Sequence, residues 1–139
     1  MNNLIIKYMM KLKDIFNIQQ DIDESNIIIK EFSYYLDEEI DLYNLEISFS
    51  LYVKNPKQNN DSDEYLEYIS NSKNLINKKI LFKNVSNFSI KNVYRDMQIT
   101  GFEILNHKEN GWQKEIKYEV KDYEGDKINL FCEEIIVIK

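Results

Sequence analysis

The chain is poor in the residues on which disulfide, zinc and nucleotide sites depend. It has a single cysteine, Cys132, and a single histidine, His107. One cysteine cannot form an internal disulfide, and one cysteine with one histidine cannot make a structural zinc site. The three glycines, Gly101, Gly111 and Gly125, are too far apart for a glycine-rich phosphate loop. We therefore expect no cofactor, and the cysteine usage favours a cytoplasmic location.

Long apolar runs and clustered arginines are also missing. The segment up to Phe16 is interrupted by Lys7, Lys11 and Lys13 and lacks a small-residue cleavage site. We therefore predict neither a signal peptide nor a membrane span. Of the 18 basic residues one is an arginine, Arg95, and 24 acidic residues give a net charge of −6. Nucleic-acid binding is disfavoured, because phosphate contacts need clustered basic side chains. The acidic balance suits a basic partner, although it is also ordinary for a soluble protein.

Apolar and aromatic residues are abundant. Hydrophobic residues make up 43% of the 139 residues, which favours a packed core over disorder. The length fits one domain over residues 1–139. Between Leu4 and Phe16 the apolar residues recur at a three-to-four spacing, which predicts an amphipathic helix within residues 1–20. A membrane-surface helix is the alternative for the same segment.

The remaining pattern predicts mostly β-strands. Residues 27–36 are rich in β-branched and aromatic side chains, which is typical of a strand. Residues 45–54 alternate apolar with polar side chains, so one face should cover a core while the other meets water. Further strands are predicted over residues 80–90, 99–105, 114–120 and 128–138.

Turn residues order these strands. Asn110 with Gly111, and Gly125, are residues that allow the positive φ of hairpin turns, so the last three strands should form an antiparallel meander. Polar residues at Asn84 and at Ser86 and Asn87 predict a bulge within the strand of residues 80–90. The fold class expected is α+β, mainly β: an antiparallel sheet or sandwich with a C-terminal β-meander and a short N-terminal helix.

The most polar stretch predicts a surface loop over residues 55–64. Asp61, with Glu64 three residues later, has the pattern of a capping box and predicts a short helix after the loop. Asn59, Asp61 and Asp63 occupy every second position, as the first ligands of a calcium loop do. The pattern fails because Glu64 stands where glycine is needed and Ser70 where a bidentate glutamate is needed.

Cys132 and His107 are the residue types of a cysteine nucleophile and its base, and Glu109 or Asp122 could orient the imidazole. Cys132, however, shares strand parity with Ile128 and should point to the apolar face. A buried cysteine behaves as a small hydrophobe, has a raised pKa and is inert. We therefore predict a core cysteine, a histidine at the surface or packed in a turn, and no catalytic residue.

Residues for partner binding are proposed from aromatic and acidic character. Trp112 follows the Asn-Gly turn and either closes the end of the core or anchors an interface. Tyrosines supply large contact area at low ordering cost, although an AT-rich genome also uses them freely. The tyrosines considered for such a surface are Tyr34, Tyr35, Tyr43, Tyr52, Tyr65 and Tyr68. The predicted partner-binding residues are Trp112, His107, Tyr65, Tyr68, Asp61, Asp63 and Glu64.

The C-terminal segment resembles a known group of proteins. The stretches ILFKNVSNFSI, ITGFEILNHKENGW and YEVKDYEGDKINLFCEEIIV, within residues 80–137, are similar to the C-terminal half of small uncharacterised proteins from low-GC bacteria. Those proteins are in turn similar to β-rich immunity proteins encoded beside polymorphic toxins. The resemblance covers under half of the chain and rests on a strand-turn pattern, so no functional residue is carried over. It implies a cytoplasmic protein that binds and blocks a toxin.

Together these features predict a non-enzymatic cytoplasmic protein-binding module. We expect an immunity-type or phage-type inhibitor whose acidic surface receives a basic partner such as a toxin or nuclease, with the protein itself a monomer or homodimer. The alternative is a small-ligand-binding or hydrolytic β domain with a site lined by tyrosines and carboxylates.

Overall fold

The structure is a computed structural model that describes residues 2–3, 9–19, 21–53, 75–92, 96–107, 117–123 and 127–138. Within these ranges the chain forms eleven strands and one short helix. The strands are β1 (Asn2–Asn3), β2 (Met9–Lys11), β3 (Ile22–Asp37), β4 (Leu42–Val53), β5 (Leu75–Lys83), β6 (Ser86–Ile90), β7 (Met97–Ile99), β8 (Glu103–Asn106), β9 (Tyr118–Lys121), β10 (Ile128–Cys132) and β11 (Glu134–Ile138). The helix, α1, is Leu12–Ile15.

These strands form two antiparallel sheets. The first sheet has the order β1-β11-β5-β4-β3-β7, and the second has the order β2-β8-β9-β10-β6. In the second sheet β8, β9 and β10 are neighbours in chain order, so the predicted C-terminal meander is confirmed. The predicted fold class, mainly β with antiparallel sheets and a short N-terminal helix, is also confirmed. The turns predicted at Gly111 and Gly125 lie outside the described residues.

The N-terminal segment differs from the helix predicted within residues 1–20. Only Leu12–Ile15 is helical among its described residues, whereas Asn2–Asn3 and Met9–Lys11 are strands. Met9–Lys11 is extended because it pairs with β8, and the hydrogen bonds between these two strands replace helical ones. Asn17, with a φ of 53°, ends the helical turn. No helix of the described ranges is long and apolar enough to cross a membrane.

The core lies between the two sheets. The alternation predicted for residues 45–54 is confirmed by β4, whose apolar side chains are fully buried at every second position from Leu45 to Leu51. The second sheet contributes the buried side chains of its own inward rows to the same cluster. Phe49 of the first sheet meets Phe102, which precedes β8, edge to face with ring centroids 5.1 Å apart. The sheets therefore share one core.

Three segments predicted as single strands are each divided between the two sheets. The crossings lie at Asn84 and Val85 in residues 80–90, at residues 100–102 in residues 99–105, and at Glu133 in residues 128–138. Asn84 and Gly101 have positive φ, which turns the chain sharply enough to leave one sheet for the other. Asn84 is therefore a crossing between sheets, whereas the register of β6 against β10 shifts beside Asn87, whose φ is 51°, so the bulge predicted at Ser86 and Asn87 is found there.

The crossing at Gly101 depends on glycine for two reasons. Its φ is 71°, in the left-handed region that side chains with a Cβ rarely adopt. A Cβ at this position would also collide with the ring of Tyr123, which packs against the glycine. The N–H of Gly101 donates to the carbonyl oxygen of Glu24 at 2.6 Å, and that of Tyr123 donates to Thr100 at 3.2 Å. Both bonds fasten this corner to β3 and to the end of β9.

A group of buried polar side chains fixes the other two crossings to β4. The Asn84 N–H donates to Asn44 Oδ1 at 3.3 Å, and Asn84 Nδ2 donates to Glu133 Oε1 at 3.1 Å. The Val85 N–H donates to the carbonyl oxygen of Tyr43 at 2.8 Å. We name these bonds the polar clamp. Because Tyr43 lies near the start of β4, the clamp fixes the end of the β3–β4 hairpin to both sheets.

Candidate functional site

The long β3–β4 hairpin has a covered base and an exposed tip. At the base, Ile27–Ile29 of β3 pairs with β4 on one side and with β7 on the other. The pairing register with β4 then shifts between Ile29 and Glu31. Beyond this irregularity the side chains of residues 30–36 are all exposed, although β3 continues to pair with β4 as far as Asp37. We name residues 31–43 the hairpin tip.

The tip presents apolar side chains on the face that elsewhere forms the core. Phe32 lies opposite the fully buried Ile47, and Tyr34 lies opposite the fully buried Leu45. Directly opposite residues of an antiparallel pair share a face, so Phe32 and Tyr34 point to the inner side of the first sheet. They are nonetheless 36% and 42% exposed. The second sheet therefore covers the inner face only partly at the tip.

Aromatic rings continue this face as one contiguous row. Tyr34 stacks on Tyr43 with centroids 5.1 Å apart and an interplanar angle of 12°. Phe88 of β6, at the edge of the second sheet, contacts Tyr34 at 5.1 Å and Phe32 at 6.2 Å. We name Phe32, Tyr34, Tyr43 and Phe88 the aromatic row. Their mutual contacts restrict the rings, so a partner would meet an ordered surface.

Exposed apolar side chains are concentrated at the tip. Eight large apolar side chains are exposed within the described ranges, and six of them lie in residues 31–43. These six are Phe32, Tyr34, Tyr35, Leu36, Ile40 and Tyr43. Scattered exposed apolar residues are normal, but a contiguous group of this kind marks an interaction surface.

Carboxylates fill the turn of the hairpin. Asp37 Oδ1 accepts a hydrogen bond from the Glu39 N–H at 3.1 Å, and the Asp41 N–H donates to the Asp37 carbonyl oxygen at 2.8 Å. Asp41 has a φ of 56°, a conformation that aspartate tolerates better than most residues. Within the described part of the chain, neither these three residues nor Glu38 forms an ion pair. The turn is thus a negative surface directly beside the aromatic row.

Two lysines near the tip are already paired, whereas Lys83 forms no ion pair among the described residues. Lys30 Nζ lies 2.6 Å from Asp96 Oδ1, and Lys79 Nζ lies 3.1 Å from Glu46 Oε1. Glu31 has no ion-pair partner among the described residues. The potential at the tip is therefore negative, and its unpaired carboxylates are accessible to a cation.

A shallow groove opens on the outer face beside β3. Its volume is about 160 Å³, and it is lined by Glu31, Phe32, Ser33, Glu46 and Ser48. The small serine side chains leave the space, and Glu31 gives it a negative charge, since Glu46 is paired with Lys79. A groove of this size is smaller than the sites that hold drug-sized ligands, and it fits a single side chain.

Of the predicted partner-binding residues, the structure describes His107. Its Nε2 lies 2.8 Å from Glu119 Oε1, and its N–H donates to the Lys117 carbonyl oxygen at 2.8 Å. Its side chain is 16% exposed. His107 thus packs at the end of the β8–β9 pair, as the turn-packing interpretation requires, and its carboxylate partner is Glu119. Trp112, Tyr65, Tyr68, Asp61, Asp63 and Glu64 lie outside the described residues, as do the surface loop and helix predicted around them.

The possible cysteine nucleophile is excluded by its position. Cys132 is fully buried on the inner side of β10, opposite Tyr118, and burial raises the pKa of its thiol well above the usual range. Glu119, which holds His107, follows Tyr118 in β9 and therefore faces the opposite, outer side. Cysteine and imidazole lie on opposite faces of the sheet. The prediction of a core cysteine is confirmed.

Asp122, the other carboxylate considered for the imidazole, has a structural role. It is 1% exposed, and its Oδ1 accepts hydrogen bonds from the N–H groups of Lys127 at 3.3 Å and Ile128 at 3.2 Å. It therefore stabilises the connection between β9 and β10. Among the described residues, no group of three histidine, cysteine, aspartate or glutamate side chains could hold a metal ion.

A second groove bears on the small-ligand alternative. It has a volume of about 350 Å³, and its described lining residues are Ser48, Asn77, Lys78, Lys79 and Ile138. That lining contains lysines and no tyrosine or carboxylate, unlike the site expected for this alternative.

The described tyrosines are mostly outside the core. Tyr34, Tyr35 and Tyr43 are exposed at the tip, whereas Tyr118 is buried. The first three belong to the tyrosine surface considered from the sequence, and they are the part of it that the fold brings together. The partner-binding residues predicted from the sequence do not include those of the tip. A signal for this surface is present in YYLDEEIDLY, where tyrosines flank a group of four acidic residues.

Comparison with known proteins gives no relative from which a role could be transferred. No protein-family model matches the chain, no curated protein matches it, and no solved structure matches its fold.

Proposed function

We propose that the protein is a non-enzymatic cytoplasmic binding module, an immunity-type or phage-type inhibitor that holds a basic protein partner at its hairpin tip. The observation that carries this proposal is the concentration of exposed apolar side chains at residues 31–43, beside unpaired carboxylates. Aromatic anchors supply most of the binding energy in protein interfaces. Carboxylates around them select a basic partner and accelerate its association.

The construction of the tip supports the same role. The polar clamp and the ring contacts of Tyr34 hold the surface in one arrangement before any partner arrives. Preorganisation lowers the entropy that binding must overcome, which is an advantage for an inhibitor that competes with a substrate. The net charge of −6 extends the attraction beyond the contact surface.

The test is capture from a lysate of the source organism with a matched pair of variants. The immobilised protein should retain a basic protein at about 0.1 M salt and release it at about 1 M, because screening removes the attraction. Glu38→Gln with Glu39→Gln removes two charges from the turn and should lower retention at least threefold. Asp14→Asn with Asp21→Asn removes two charges from exposed positions near α1, away from the tip, and should retain the partner.

Equal retention by both variants would contradict the proposal, as would capture that does not change with salt. The captured protein is identified by mass spectrometry, and its own activity is then measured with and without the inhibitor. An inhibitor must lower that activity in proportion to its occupancy. If the activity of the captured partner is unchanged, the protein is a binding module and does not act as an inhibitor.

A further inference from the structure

The geometry points to β-strand addition as the way in which the tip holds its partner: an extended basic segment of that partner pairs with the open edge of β3 at residues 31–36. This inference rests on the proposed function and specifies the contact. In strand addition, backbone hydrogen bonds supply affinity and alternate side chains supply specificity.

The backbone of β3 has an open side along residues 31–36. One side of β3 pairs with β4 through Asp37, but on the other side the pairing with β7 ends at Ile29. No described strand pairs with this second side over residues 31–36. Edge strands are usually protected by lysine, proline or short length. Residues 31–36 contain neither lysine nor proline, and their side chains are all exposed. The edge therefore has the features of one that receives another strand.

The side chains on the two faces determine what that strand must look like. On the inner face the added strand would extend the row formed by Phe32, Tyr34 and Leu36, which requires apolar side chains. The outer face of this edge carries Glu31, Ser33, Tyr35 and Asp37. Its two carboxylates favour basic side chains on the added strand. The matching segment alternates apolar and basic residues. Its pattern is the electrostatic complement of the tip.

The outer groove supplies a receptor for one of those basic side chains. Glu31 lies at the edge itself, has no ion-pair partner in the described part of the chain, and shares the groove of about 160 Å³ with Ser33 and Ser48. A lysine from the added strand can place its ammonium group there, within reach of the Glu31 carboxylate. The aliphatic part of that lysine would fill the space above the serines.

Charge also decides between a basic partner and a second copy of this chain. Two copies paired edge to edge would bring together two sets of the same carboxylates, including Glu31, Asp37 and Glu38. The lysine beside the edge, Lys30, is already bound to Asp96. Like charges directly opposite each other destabilise a strand pair. A basic segment relieves this repulsion, whereas a second copy increases it.

The test uses a fluorescein-labelled peptide of about seven residues that alternates lysine and valine, since this length spans the edge. Fluorescence anisotropy should show saturable binding at low salt. Two analogues carry N-methyl groups on alternate residues, one on the lysines and one on the valines. In an added strand every second N–H faces the protein, so one analogue should bind at least about tenfold more weakly and the other nearly unchanged. Equal binding of both analogues would overturn strand addition.

Two protein variants test the groove. Glu31→Gln keeps the shape of the side chain and removes its charge, so peptide affinity should fall about threefold to tenfold. Asp14→Asn, an equal charge change near α1, should leave the affinity unchanged. A peptide of the same composition with all lysines at one end serves as a control for attraction by charge alone, and it should bind more weakly than the alternating one. If the two peptides bind equally, strand addition is wrong.

Amide hydrogen exchange locates the contact. Peptide binding should slow the exchange of every second amide within residues 31–36, because only those N–H groups point to the open edge. If those amides are already protected in the free protein and sedimentation gives a dimer, the edge is occupied by a second copy and the inference is wrong. If the alternating pattern is absent while the Glu38/Glu39 variant still loses the natural partner, strand addition fails and the proposed function stands.

Discussion

The base and the tip of the β3–β4 hairpin are built from the same kind of sequence and have opposite environments. At the base, Ile27 and Phe49 are fully buried between the sheets. At the tip, Phe32 and Tyr34 face the same side of the same sheet and are exposed. The inward face of a strand therefore becomes core only where a second layer reaches it. At the tip that layer ends with β6.

The difference has a physical consequence for what each half does. Burial of an aromatic side chain at the base contributes to the free energy of folding. The same apolar area at the tip remains in contact with water, and its burial is available to a partner. The base therefore determines stability and the tip determines binding, and substitutions can test that separation.

The largest expected effect comes from a matched pair of phenylalanines. Phe49→Ala removes a ring that packs against Phe16 and Phe102 in the core and should lower the free energy of unfolding by about 3–5 kcal/mol. Phe32→Ala, in the tip, should cost about 1 kcal/mol, since its ring makes one edge contact with Phe88. Urea denaturation measures both. Similar losses for the two variants would mean that the tip is part of the core.

A second prediction concerns the corner that leads out of β7, the strand that covers the base. Gly101→Ala introduces a Cβ at positive φ that collides with the Tyr123 ring, and it should destabilise the protein by at least about 1 kcal/mol. In the double variant with Tyr123→Ala the collision is absent. The part of the stability loss that the collision causes should then disappear, and the part caused by the strained backbone at residue 101 should remain. Thermal denaturation of the four proteins in this cycle gives the two parts separately. Additive losses would show that the ring contact is not the cause.

Smaller effects are expected within the aromatic row. Tyr34→Ser and Tyr43→Ser should each lower the free energy of unfolding modestly, with a coupling between them of about 0.5–1.5 kcal/mol, because their rings stack. Both variants should lower the amount of captured partner by more than their modest loss of stability can explain. Capture that stays unchanged when both rings are removed would contradict the assignment of binding to the tip.

The smallest effect is a change in pH dependence at the base. Glu24 is half-buried, and desolvation raises its pKa above the ordinary value near 4.5, despite the opposing charge of Lys11. The folded protein then binds more protons than the unfolded chain between that ordinary value and the raised pKa, so stability falls as pH rises through this window. Glu24→Gln should remove this fall. Denaturation at several pH values measures it, and an unchanged slope would exclude Glu24 as its source.

Sequence periodicity predicted the strands well and their division between sheets poorly. The alternation in β4 and the C-terminal meander follow from side-chain spacing, which is a local property. The apolar spacing is broken at Asn84 and at Gly101, but spacing alone does not distinguish a crossing between sheets from a bulge within one sheet. In the N-terminal segment the apolar residues fit a helix, and pairing of Met9–Lys11 with β8 decided otherwise.

The candidate site was predictable only in part. Aromatic and acidic character at Tyr34, Tyr35 and Tyr43 was visible in the sequence, and these residues were considered as a contact surface. Their exposure could not be predicted from the sequence, because it depends on where β6 ends relative to β3, and these two strands are far apart in the chain. The burial of Cys132 was predictable, since parity within one strand was enough to place it.

The repeated crossing of the chain between sheets has a consequence for how the protein is made. In the first sheet β11, the last of the described strands to be synthesised, lies between β1, the first, and β5. A growing chain on the ribosome therefore cannot complete this sheet until the segment from Glu134 to Ile138 has emerged. Pairings that join such distant segments close late and slowly, so we expect this sheet to form on a scale of about milliseconds to seconds.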